Sequence, residues 1–62
     1  MKFFIQSKSG NYNTVLNIVA FTEYSAFVEL RRTGHYPAKY RDTDIVVPFE
    51  EIEYIRKAED DE

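Results

Sequence analysis

The sequence predicts a mainly β protein: a small barrel of the SH3-like or Sm-like kind, with four to five short strands and at most a short helix near the C-terminal end. Three observations carry this expectation. Apolar residues recur at every second position in several short runs, the runs are separated by turn formers, and a chain of 62 residues has room for one core only. Closure into a barrel would also remove the exposed edges that a flat sheet of this size leaves. Residues 1–58 are expected to form the single domain, and residues 59–62 an acidic, frayed tail.

Lys2 to Gln6 is apolar and β-prone, and the Ser7–Asn13 stretch behind it is dense in turn formers, which makes a first strand and a loop. Thr14 to Phe21 reads as a second strand that is apolar on both faces. Leu16, Ile18 and Ala20 form one face, and Val15, Val19 and Phe21 the other. A strand of this kind lies in the middle of a sheet or is covered by a partner, so Val15, Val19 and Phe21 are the candidate self-association residues of a homo-oligomer.

Two readings compete for the next segment. Ala26, Val28 and Leu30 alternate with Phe27, Glu29 and Arg31, the period-2 pattern of a half-buried strand. A helix capped by Thr22 and stopped at Gly34 is the rival, but it would leave Leu30 off a Tyr24, Phe27 and Val28 stripe, and the strand is preferred. Thr33 to Thr43 has no period and holds Gly34 and Pro37, so a long loop is expected there. Asp44 to Val47 is a short strand closed by Pro48. Beyond it, proline at a helix-start position with acids first and bases last suits a helix. The alternation of Ile52 and Tyr54 with Glu51 and Glu53 suits a last strand behind one 3₁₀ turn, and the strand is favoured.

Catalysis is not expected. Cysteine is absent, the single histidine stands without a nucleophile motif, and two scattered glycines build no phosphate loop. The same counts leave no staple of disulfides, no metal site and no cofactor. The apolar run at the N-terminus ends after Phe3, Phe4 and Ile5, far short of a secretion signal or a membrane span, and the chain is expected to be soluble and cytoplasmic.

Charge is unevenly spread. Residues 1–41 carry six bases against two acids, whereas residues 42–62 carry two bases against nine. The richest constellation lies in the basic part: Arg31, Arg32, His35, Tyr36, Lys39, Tyr40 and Arg41, cations around two tyrosines. These are the candidate partner-binding residues. Tyrosine and arginine supply large contact area with polar tips, so the first reading is an accessory or regulatory interaction module, of the phage type among others, that docks on a protein. The alternative is single-stranded nucleic acid, whose phosphates cations track and whose bases stack on aromatic rings. His35 alone has no metal-binding support.

Overall fold

The computed structural model describes all 62 residues, Met1–Glu62. In chain order the elements are β1 (Lys2–Ser7), β2 (Asn13–Asn17), α1 (Glu23–Thr33), β3 (His35–Tyr40), β4 (Thr43–Pro48), a 3₁₀ turn (Phe49–Glu51) and β5 (Ile52–Lys57). Nearly half of the chain is strand, in one antiparallel sheet of order β4-β3-β2-β1-β5.

The third predicted strand is a helix. Thr22 is extended, and its Oγ1 accepts from the Ser25 N–H at 3.1 Å while Ser25 Oγ accepts from the Thr22 N–H at 3.0 Å. This reciprocal box satisfies two donors that a helix start otherwise leaves open. At the other end Gly34 takes φ +81°, which its missing Cβ permits, and donates its N–H to the Leu30 carbonyl at 2.9 Å. Glu23 in the first turn and Arg31 and Arg32 in the last suit the helix dipole. The alternation misled because positions 26 and 30 stay in phase under both a period of 2 and a period of 3.6. Only Val28 separates the two readings, and it is exposed while Ala26 and Leu30 are buried.

The predicted loop over Thr33–Thr43 is likewise mostly a strand. β3 pairs with β4 along its whole length, from His35–Pro48 to Tyr40–Thr43, and Arg41, at φ 60°, turns the hairpin. The Phe49 N–H donates to the Gly34 carbonyl at 3.0 Å. Antiparallel pairs alternate between hydrogen-bonded and non-bonded. Counting from that bond, Tyr36–Val47, Ala38–Ile45 and Tyr40–Thr43 are bonded pairs, and Pro37 and Pro48 fall between them. Each proline nitrogen therefore points away from the partner strand, and the β3–β4 ladder loses no donor.

The second strand is shorter than expected, ending at Asn17, so Val19 and Phe21 lie in the linker before α1 and share no strand face with Val15. The last segment is β5 behind a 3₁₀ turn, as the alternation of Ile52 and Tyr54 predicts, and no helix follows Pro48.

One face of the sheet carries the core. Ile5, Leu30, Tyr36, Ala38, Val47 and Ile52 form the larger cluster, and Phe3, Ala20 and Ala26 a second beside it. The helix packs over this face against β3 and β5. Ser7, the one buried polar residue, accepts from the Tyr12 N–H at 3.1 Å and meets Ser9 Oγ at the same distance. β4 and β5 are the two edges and do not pair, so the sheet is not a closed barrel. The acidic end, expected to fray, folds back instead. Arg56 grips the Glu62 carboxylate through two nitrogens at 2.7 and 2.9 Å, and Lys2 Nζ donates to the Glu62 carbonyl at 3.0 Å.

Candidate interaction surfaces

The seven residues of the basic and aromatic constellation do not converge. Arg31 and Arg32 end the helix, Tyr40 and Arg41 sit at the β3–β4 hairpin, and β3 runs between them. At about 3.4 Å per residue, that separates the two groups by roughly 17 Å. Arg32 is engaged by Glu29, whose two carboxylate oxygens accept from the guanidinium, and this bond holds the Glu29 carboxyl below its ordinary range. His35 and Lys39 are exposed on the sheet's outer side. Tyr40 lies edge-on to Tyr12, ring centres 5.6 Å apart, with the Arg41 guanidinium 5.6 Å from its ring centre.

Tyr36 is a correction. Expected to meet a partner, it is 0% exposed and is the largest fully buried side chain of the core. β3 alternates, and the Tyr36 and Ala38 positions face inward while Pro37 and Lys39 face outward. Its hydroxyl has no hydrogen-bond partner, and burial, reinforced by Glu51, pushes its pKa above the ordinary tyrosine value.

The sheet's outer side carries a smaller aromatic group. Phe4 lies opposite Val15 on β2 and Arg56 on β5. The Arg56 guanidinium stands 4.3 Å from the Phe4 ring centre, and Tyr54 leans on the same ring at 6.2 Å. Val15 is thus half-covered on the outer side of the sheet, and the back-folded Glu62 orients the arginine over the phenylalanine.

Large apolar side chains are exposed at the start of the helix. Val19 is 95% exposed, Phe21 82% and Tyr24 79%, with Val28 also outward one helical turn beyond Tyr24. Residues four apart on a helix are neighbours, so Tyr24 and Val28 share one side of α1, and Val19 and Phe21 stand exposed in the linker that leads into it. Phe27, between these faces, packs edge-on against Phe49 at 4.8 Å and ties the helix to the 3₁₀ turn. The strand reading puts Val28 on one face with Ala26 and Leu30, and the rival helix gathers Tyr24, Phe27 and Val28 into one stripe; neither leaves Tyr24 and Val28 outside. The signal that could have exposed them is the Thr22–Ser25 cap, which sets the phase that turns Ala26 and Leu30 inward.

The second surface is a cleft within the sheet. β2 and β3 pair at one position, Asn13 with Lys39, and then part. The gap has a volume of about 490 Å³ and is lined by Thr14, Val15 and Leu16 on one side and Pro37, Ala38 and Lys39 on the other, with Asp44 beside Lys39. Continuing the Asn13–Lys39 register would set Val15 against Pro37, whose nitrogen faces β2 and carries no hydrogen. The ladder stops where its next donor is missing.

No group of three or more histidine, cysteine, aspartate or glutamate side chains is placed to hold a metal ion, and no helix is long and apolar enough to cross a membrane. Compared with known proteins, the chain matches no protein-family model, no curated protein and no solved structure.

Proposed function

We propose that this chain is a non-catalytic protein-interaction module of the accessory or regulatory kind, and that its docking surface is the ridge of Val19, Phe21, Tyr24 and Val28. The observation that carries the reading is the exposure of these four large apolar side chains within ten residues, in a chain that buries nine other apolar residues in its core. Large apolar side chains exposed together in one short segment are what a docking surface offers a partner. Scattered cations speak against the nucleic-acid alternative. Arg32 is occupied by Glu29, Tyr36 is buried, and the remaining cations are split, with Arg31 before β3 and Lys39 and Arg41 at its far end. The strand order, with β5 returning to β1 behind a 3₁₀ turn, supports an opened version of the small-barrel architecture, on which binding sites of many kinds are built.

The test is capture of a stoichiometric protein from host lysate by the tagged chain and by a Phe21→Ser, Tyr24→Ser double variant. Both positions are exposed, so the variant's unfolding free energy stays within about 0.5 kcal/mol of the parent. The expected result is capture by the parent and loss in the variant. Equal capture by both would overturn the ridge. An eluate that absorbs as nucleic acid and is released by modest salt would overturn the protein reading. Sedimentation of the purified chain reads the oligomer independently. A homo-oligomer that the double variant reduces to a monomer identifies a second copy as the partner.

A further inference from the structure

We infer that the cleft between β2 and β3 is a binding site for a single extended polypeptide segment of a partner protein, which inserts as an extra strand and bonds to the exposed main chain of β2. This rests on the reading of the chain as a protein-interaction module, but it uses a surface separate from the apolar ridge and adds the class of ligand.

The main chain sets the chemistry. Met1 and Ile18 exchange two hydrogen bonds, the Ile18 N–H donating to the Met1 carbonyl at 2.9 Å and the Met1 amine to the Ile18 carbonyl at 3.0 Å. Alternation along the β1–β2 register then makes Phe3–Leu16 and Ile5–Thr14 the bonded pairs. Val15, which lines the gap, and Asn17, just beyond its lining, consequently turn their N–H and C=O groups away from β1. No ladder partner meets them, because β3 has already parted from β2. Across the gap, Pro37 offers a carbonyl and no donor. Alternating donors and acceptors at the spacing of a strand are what another extended backbone satisfies.

Size and side chains agree with this occupant. One strand residue in a sheet takes up about 160 Å³, from roughly 3.4 Å of rise, 4.8 Å between strands and 10 Å of depth. The cleft of about 490 Å³ is on the scale of about three such residues. Its inward side is bordered by Leu16 and Ala38, its outward side by Lys39 and Asp44. A fitting segment has apolar side chains at alternate positions facing the core and polar ones between them. The gap lies inside the sheet, with a strand on each side, so it admits one free strand and excludes the edge strand of a second folded copy, which carries its own sheet on its other side.

The probe is the blocked peptide Ac-Thr-Val-Thr-Val-Thr-NH₂, titrated into the ¹⁵N-labelled chain to about 1 mM, the range in which a contact this short binds. Saturable shifts at the Val15 and Asn17 amides are expected, with about tenfold slower hydrogen exchange at both, as a closed bond requires. The same peptide N-methylated at alternate residues loses the effect. A Pro37→Val variant restores the missing donor opposite Val15, closes the seam and loses peptide binding. Unmoved Val15 and Asn17 amides, an equal response to the methylated peptide, or undiminished binding by the folded Pro37→Val variant would each overturn the inference. If Pro37→Val does not fold, the methylated peptide on the parent chain decides. The ridge reading stands or falls separately, since the Phe21→Ser, Tyr24→Ser variant retains the cleft and Pro37→Val retains the ridge.

Discussion

Two sides of one helix show how little apolar character alone decides. Inward, α1 presents Ala26 and Leu30, and both are buried against the sheet. Outward, it presents Tyr24 and Val28, at least as large in apolar area, and both are exposed. A helix buries the residues that its cap phases toward the sheet, and the remaining apolar residues stay outside whatever their size. That leftover surface has no packing task in the fold, which is the basis for proposing it as a docking surface.

The comparison can be broken most directly by truncating one residue from each side. Leu30→Ala removes a buried side chain beside Ile5, Tyr36 and Ile52 and should cost about 2–5 kcal/mol. In a domain this small that is a large share of the total, and chemical denaturation should show a much lowered midpoint. Tyr24→Ala should shift the same midpoint by the equivalent of at most about 0.5 kcal/mol. Comparable losses from the two variants would show that the outer side is structural.

A smaller effect sharpens the meaning of burial. Tyr36 is fully enclosed, yet its hydroxyl has no partner. An unsatisfied buried hydroxyl is unfavourable, so Tyr36→Phe should stabilise the fold by about 1 kcal/mol. Because burial raises the Tyr36 pKa, the folded state holds the proton more tightly than the unfolded chain. Stability tied to this group is complete below the ordinary value of 10.0 and declines as pH rises beyond it. Tyr36→Phe should flatten that alkaline decline; a destabilised variant would mean that the hydroxyl is engaged.

The smallest effect concerns the acidic end. The Glu62 carboxyl is lowered to about 2 from an ordinary 4.5, by the Arg56 guanidinium first, then the Glu59 N–H and Lys2. A depressed acid contributes above its ordinary value and loses that contribution as pH falls, so the clasp opens between about 4.5 and about 2. The Glu62 carboxyl carbon should titrate near the lower value by NMR, and at higher pH in Arg56→Ala. A midpoint near 4.5 in the parent chain would show the end to be loose.

Much of the fold was legible where one periodicity had no rival. Lys2–Gln6 as a strand, the strand before Pro48, and a 3₁₀ turn followed by a strand all came from local patterns that tertiary packing reinforced. The helix and β3 did not, for two distinct reasons. Ala26 and Leu30 satisfy both repeats, and the large residues nearby pointed to the wrong stripe. Pro37 reads as a strand breaker, yet its nitrogen faces β2 and not β4, so the β3–β4 hairpin forms in full and only the β2–β3 ladder is cut short. The candidate site suffered from the same errors: a basic loop that is a strand cannot gather Arg31 and Arg41 together, and the alternation of that strand sends Tyr36 into the core.

By itself the sequence determined a β-rich chain without disulfides, the turn after the first strand and the 3₁₀ turn after Pro48, because glycine, proline and apolar spacing act locally on the backbone. Which apolar residues remain outside, and where the sheet fails to close, were decided by the tertiary structure. Both depend on phase: the phase of the helix against the sheet, and the alternation that aims the Pro37 nitrogen at β2. Phase is a relation between elements, and it exists only once they have met.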